Sequence, residues 1–125
     1  MVNYLIVSLG AALGGGLRYG LSKLTYEFLP ITFPYGTLIV NITGSFVLGL
    51  VMFHFDPKEM ISARLRLFLT VGFCGGFTTF STFSYETISL CRDSEFLIAG
   101  LNIAANVIFC LAGVYLAYLF SKLLT

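Results

Sequence analysis

Charge is what this chain has least of. Asp, Glu, Lys and Arg make up 10% of 125 residues, against 58% apolar, and mean hydropathy is +0.93. Such a balance excludes a soluble domain and leaves an integral membrane protein. Tryptophan is absent and histidine occurs once, as His54. Cys74, Cys91 and Cys110 are scattered, with neither disulfide nor metal-ligand spacing, so packing is the simpler role for Cys74 and Cys110. One His, no nucleophile–base pair and no paired carboxylates exclude a membrane enzyme. The apolar segments contain almost no acid, only Glu86 near the end of one. That weighs against proton-coupled export, which needs an embedded carboxylate, and the lack of Trp removes a natural platform for a large organic cation.

What remains is four long apolar runs. Read between charges, they cover residues 4–24, 33–55, 65–89 and 96–120, each near or above the roughly 20 residues that span a bilayer. They predict an all-α membrane protein of one domain over residues 1–125. Continuous rather than alternating hydropathy excludes transmembrane β-strands. The N-terminus lacks a basic leader, and Arg18 and Lys23 follow the first apolar run, so no cleavable signal is expected. Tyr4, Tyr19, Tyr115 and Tyr118 suit helix ends at the membrane interface, as does His54 beside Asp56.

Four spans put Lys58, Arg64, Arg66 and Lys122 on one side, and Lys23, Arg92 and an outward-reaching Arg18 on the other. This is almost no positive-inside bias. Two readings stand: an indistinct topology signal, or dual topology with copies inserted in both orientations.

The third segment holds the densest signal. Gly72-Phe73-Cys74-Gly75-Gly76-Phe77-Thr78-Thr79-Phe80-Ser81-Thr82-Phe83-Ser84 is rich in residues that loosen a helix and in hydroxyls that can serve the carbonyls so freed. It predicts a break in the third helix, tolerated at membrane depth only in a protein interior or a wet cavity. Carbonyls freed between Gly75 and Thr78 could bind a cation. Phe80 and Phe83, at i and i+3, share a face that Phe77 is expected to extend, and their ring edges are positively polarised.

Polar residues also recur at helical spacing elsewhere. Thr37, Asn41, Ser45 and Gly49 form a stripe on the second segment, and Asn102, Asn106 and Cys110 on the fourth. Each stripe is either a hydrogen-bonded seam or a polar path. Gly10/Gly14 and Gly16/Gly20 on the first segment are small-residue pairs suited to close helix packing. Arg18 either snorkels to headgroups or lines a vestibule that draws in anions. No basic residue stands mid-span in segments two to four, so an anion would meet weak, distributed donors rather than a trap.

With Gly-Leu-Arg18-Tyr19, Gly36-Thr37-Leu38-Ile39-Val40-Asn41 and the long motif from Gly72 to Glu86, the chain resembles the Fluc (CrcB) fluoride channels over essentially its whole length. The resemblance implies an antiparallel, dual-topology homodimer of four-helix subunits in the bacterial inner membrane. It implies fluoride as the permeant ion and passive export as the activity, with lipid around the dimer and no nucleic-acid partner. A structural, untransported Na⁺ would be held by the main-chain carbonyls of Gly75 and Thr78. Phe80 and Phe83 match the aromatic box, Asn41 the pore asparagine, Ser81 and Thr82 the hydroxyl track, and Arg18 the vestibule arginine. Thr37 and, on the fourth helix, Asn106 complete the expected pore set. Asn102, Asn106 and Cys110 depart from the pattern, since some relatives carry tyrosine and serines on that face. The competing class is a small proton-coupled multidrug exporter, also a four-helix antiparallel dimer.

Overall fold

The computed structural model describes residues 1–125 and is entirely helical. Four helical stretches are long and apolar enough to cross a membrane: Val2–Phe28, Tyr35–Phe55, Ala63–Arg92 and Phe96–Leu123. We label α1 Val2–Phe28 and α2 Tyr35–Phe55, whose last turn Val51–Phe55 widens to π winding. The third span is divided into α3 (residues 63–77, with π winding over Phe68–Cys74) and α4 (Phe80–Arg92), and α5 is Phe96–Leu123.

The first, third and fourth spans outrun their apolar runs by up to four residues, because helical hydrogen bonding continues past the first charges, whereas α2 begins only at Tyr35, after Pro34. Helix α1 thus passes Lys23 and stops only where Pro30 forces Leu29 into extended geometry (φ −118°, ψ 148°). Pro34 precedes α2, and the Ser62 hydroxyl caps α3 by accepting from the Leu65 N–H at 3.1 Å. The Asp56–Arg66 ion pair, 3.1 Å and partly exposed, ties the α2–α3 connection.

Lipid offers no hydrophobic drive between helices, so the bundle is held by close backbone approach and hydrogen bonds. On α1, Gly10 and Gly14 are buried against α3 and leave no room for a Cβ. One at Gly10 would lie 2.6 Å from the Phe68 carbonyl, and one at Gly72 would lie 3.0 Å from Gly10 Cα. Leu5, Leu9, Leu13 and Leu17 form an exposed stripe on α1. Gly16 and Gly20 have no neighbour within 4 Å on their open side, so within the protomer this second small-residue pair packs nothing. Helices α2 and α5 meet through Gly49 against Ala117, and the Ser121 hydroxyl donates to the Phe53 carbonyl at 2.7 Å, taking up an acceptor in the widened turn.

Candidate functional site

Helix α3 ends at Phe77, and the next two residues are extended: Thr78 at φ −87°, ψ 160° and Thr79 at φ −151°, ψ 114°. Local chemistry accounts for the change. Both the N–H and the hydroxyl of Thr78 donate to the Cys74 carbonyl, at 2.9 Å each, closing the last turn. The Thr79 hydroxyl then caps α4 by accepting from the Thr82 N–H at 3.1 Å. It also lies 3.0 Å from the Thr82 hydroxyl and 3.3 Å from that of Ser81.

The backbone at Thr79 is held from α2. Asn41 Oδ1 accepts from the Thr79 N–H at 2.8 Å, and Asn41 Nδ2 donates to the Thr79 carbonyl at 3.2 Å. One carboxamide thus replaces both helical partners of an extended residue at membrane depth, where an unpartnered backbone group is costly. The second Nδ2 proton of Asn41 goes to Asn106 Oδ1 at 3.1 Å. Asn106 Nδ2 donates to the side-chain and backbone oxygens of Asn102, at 3.0 Å each, and Asn102 Nδ2 donates to Thr87 Oγ1 at 3.0 Å. The two polar stripes therefore face each other across the interruption, joined by hydrogen bonds from α2 to α5 to α4.

Beside this network lies a cavity of about 470 Å³, open on one side, with Asn41, Ser45, Thr79, Phe80, Phe83 and Asn106 in its wall. No charged side chain lines it. Its polar groups are neutral amides and hydroxyls, and the Phe80 and Phe83 rings stand 5.4 Å apart at 51°. Such a surface carries no fixed charge that would grip an anion, and its amide and hydroxyl protons are shared among the protein's own acceptors. Phe83 is buried, whereas Phe80 is 79% exposed in the protomer.

The structure brings only part of the predicted set together. Asn41, Asn106, Phe80 and Phe83 share the cavity with Gly75 and Thr78. Ser81 and Thr82 cluster instead on the Thr79 hydroxyl, Ser81 on the exposed side. Thr37 lies one turn from Asn41 and donates to Glu86 Oε1 at 2.6 Å. Arg18 is half-buried on α1, which contributes nothing to the cavity wall, and makes no hydrogen bond or ion pair with another side chain. The expected extension of the aromatic face through Phe77 is not met. Phe77 stacks on Phe73 (5.6 Å, 10°) and lines a second groove between α1 and α2 with Gly16 and Gly20. Two extended residues rotate the helical register, so spacing counted across Thr78 and Thr79 no longer predicts a shared face.

Four residues outside the expected pore set also belong to the site. Thr79 supplies the backbone that Asn41 holds, Asn102 and Thr87 continue the network, and Glu86, near the end of the third span, is half-buried. Its Oε2 is buried without a partner in the protomer. The signal was present in part: Phe83, Glu86 and Thr87 lie at i, i+3 and i+4 on one helix face. His54 is buried at the end of α2, 3.3 Å from Lys58 Nζ and apart from the cavity.

The gathered carboxamides and the neutral wall can be set beside known proteins. The family model for CrcB-like proteins, camphor resistance (CrcB), matches residues 5–118. The fluoride-specific ion channel FluC of Paramagnetospirillum magneticum is 43% identical over 120 residues, covering 94% of both chains. That of Geotalea uraniireducens is 45% identical over 124 residues, 99% of this chain and 100% of the relative. That of Dehalococcoides mccartyi is 47% identical over 124 residues, 98% and 95%.

Proposed function

The chain belongs to the CrcB family, and from that premise we propose that it is a fluoride-selective channel of the bacterial inner membrane, passively exporting fluoride. The observation that carries the reading is the uncharged cavity wall where α2, α4 and α5 meet, with amides, hydroxyls and phenylalanine rings as its only means of replacing an anion's water. A desolvated small anion is prohibitively costly without many donors, and a fixed cation in the wall would hold it too long. Asn41, Phe80 and Phe83 are the pore residues of this reading. Asn106 and Thr37 continue the path, Ser81 and Thr82 form its hydroxyl side, and Arg18 stands at a vestibule.

The functional unit in this proposal is an antiparallel homodimer. Phe80 and Ser81 are exposed on the protomer, and a second copy against that face would complete the wall. Gly75 and Thr78 fit a hard cation such as Na⁺, which prefers oxygen ligands. The i+4 donor for the Gly75 carbonyl, Thr79 N–H, is taken by Asn41, and that for the Thr78 carbonyl, Thr82 N–H, by Thr79 Oγ1. Both oxygens thus lose their helical partners beside the same cavity, and two-fold symmetry would double the set. A Na⁺ bound there would fix the subunits to one another and would not be transported.

One observation favours the competing proton-coupled exporter: Glu86 is a half-buried carboxylate. It faces Thr37 rather than the cavity, and no anionic wall awaits a cationic drug. A fluoride electrode decides between the readings. Proteoliposomes should release fluoride rapidly and chloride negligibly, and protein prepared without Na⁺ should lose flux and cross-link poorly as a dimer. Cysteines placed singly on the Phe80 face should cross-link in an antiparallel pattern. Absence of fluoride flux, together with resistance to quaternary ammonium compounds in cells, would reverse the choice.

A further inference from the structure

One face of α1 changes character halfway along. Leu9, Leu13, Gly16 and Gly20 follow one another at i, i+4, i+7 and i+11, so they stand in one stripe. Both leucines are more than half exposed and fill the first half of that face with side chain. The glycines leave the second half hollow, with no neighbour within 4 Å of where a Cβ would stand. The result is a groove of about 440 Å³ between α1 and α2, running from Gly16, near the middle of α1, to Leu24. Its floor is the stacked pair Phe73 and Phe77 from α3, and Thr43 is the only polar side chain in its wall.

The dimensions select what fits there. From Gly16 to Leu24 the groove measures about 12 Å at 1.5 Å per residue. One leaflet contributes roughly 15 Å, half of the hydrocarbon core. A helix crossing both leaflets would ride on Leu9 and Leu13 and could not seat along its length. A single acyl chain, entering at the headgroups and ending near the midplane, fits the hollow half alone. A lipid tail gains nothing by leaving other lipid, so contact and charge are what retain one chain over another. The charge is Lys23, three residues past Gly20 on the same stripe. It is exposed and makes no ion pair, not even with Glu27 one turn further on. The groove shares no lining residue with the cavity beside Asn41, so it is not the wall that a second copy on the Phe80 face would complete.

We propose that this groove binds one acyl chain of an anionic phospholipid from the leaflet on the Lys23 side, with Lys23 holding the phosphate. The tail lies against Phe73 and Phe77 and braces the end of α3, since Phe77 is the last helical residue before the extended pair Thr78 and Thr79. The site stands whether or not the chain conducts fluoride.

Native mass spectrometry of the detergent-solubilised protein, incubated with phosphatidylglycerol or with phosphatidylcholine of the same chains, tests the proposal. The parent should hold phosphatidylglycerol about fivefold more tightly than phosphatidylcholine, the weight of one basic residue at a membrane surface. Lys23→Gln should bring the two lipids to equal affinity. The double variant Gly16→Leu/Gly20→Leu continues the leucine stripe through the groove and should lose the tightest-held lipid of either kind. Phosphatidylglycerol should raise the thermal midpoint of the parent and leave that of the leucine-filled variant unmoved, because leucine already covers Phe77. Equal affinity for the two lipids in the parent, or a preference that survives Lys23→Gln, overturns the proposal. So does a folded leucine-filled variant that retains lipid as the parent does; if that variant does not fold, Lys23→Gln decides alone. An assembly larger than a dimer that the leucines break apart overturns it as well, by showing that another copy of the chain occupies the groove.

Discussion

Gly44 offers the sharpest test of how the interruption in the third span is held. It lies on α2, three residues beyond Asn41, and is buried against the extended pair. A Cβ there would fall far inside contact distance of the Thr78 Cγ2 methyl, and 3.1 Å from Phe77 Cδ1. The methyl cannot simply rotate away, because Thr78 Oγ1 is fixed on the Cys74 carbonyl at 2.9 Å. Gly44→Ala must therefore either push residues 77–79 off α2 or break that hydrogen bond. Overpacking of this kind costs about 1–3 kcal/mol, and the lost intramembrane hydrogen bond adds about 0.6 kcal/mol. Thermal unfolding in detergent should fall accordingly, and fluoride flux should fall with it, because the shift pulls Thr79 from Asn41. Thr78→Ser removes the clashing methyl and keeps the hydroxyl. The double variant Gly44→Ala/Thr78→Ser should therefore recover most of the loss, a coupling of at least about 1 kcal/mol. A double variant no better than Gly44→Ala, or a Gly44→Ala protein as stable as its parent, would refute the packing argument.

Other substitutions separate packing from permeation. Gly76→Ala sets a methyl 2.9 Å from the Ala11 Cα on α1 and should destabilise by about 1–3 kcal/mol. Gly100→Ala, with no atom within 4 Å, should be neutral or gain up to about 1 kcal/mol from helix propensity; equal thermal midpoints for these two variants would contradict the assigned helix contact. Asn41→Leu leaves the Thr79 N–H and Asn106 Oδ1 without their partner, about 1–3 kcal/mol for each, and should lose stability and flux together. Asn41→Asp still accepts from Thr79 but sets a carboxylate against two oxygens, so flux should fall more steeply than stability. Phe80→Ile should cut fluoride flux while leaving the protomer's thermal midpoint nearly unchanged, since the ring is 79% exposed; normal flux would remove Phe80 from the pore assignment.

Much of the architecture was already legible in composition. A span is set by the number of consecutive apolar residues, which is a property of the chain itself, and the four runs correspond to the four long helices. The stripes on α2 and α5 were also legible, because an unbroken helix carries a four-residue spacing faithfully into space. Asn41 and Asn106 share a hydrogen bond for that reason. Spacing failed where the helix does not continue: Phe77 counts onto the Phe80 face but turns to Phe73, and Gly16 and Gly20 share the motif of Gly10 and Gly14 without sharing their contacts.

The sequence by itself determined that the chain lives in lipid, how many times it can cross, and which residues carry hydrogen-bonding groups at depth. Tertiary structure alone decided where those groups spend their protons. Asn41 takes both backbone groups of Thr79, Thr37 takes Glu86, and Thr87 accepts from Asn102 across helices, a pairing that no periodicity announces. The physical reason is that hydropathy is summed along a segment, whereas a hydrogen bond is settled by the one partner, often on another helix, that stands within about 3 Å.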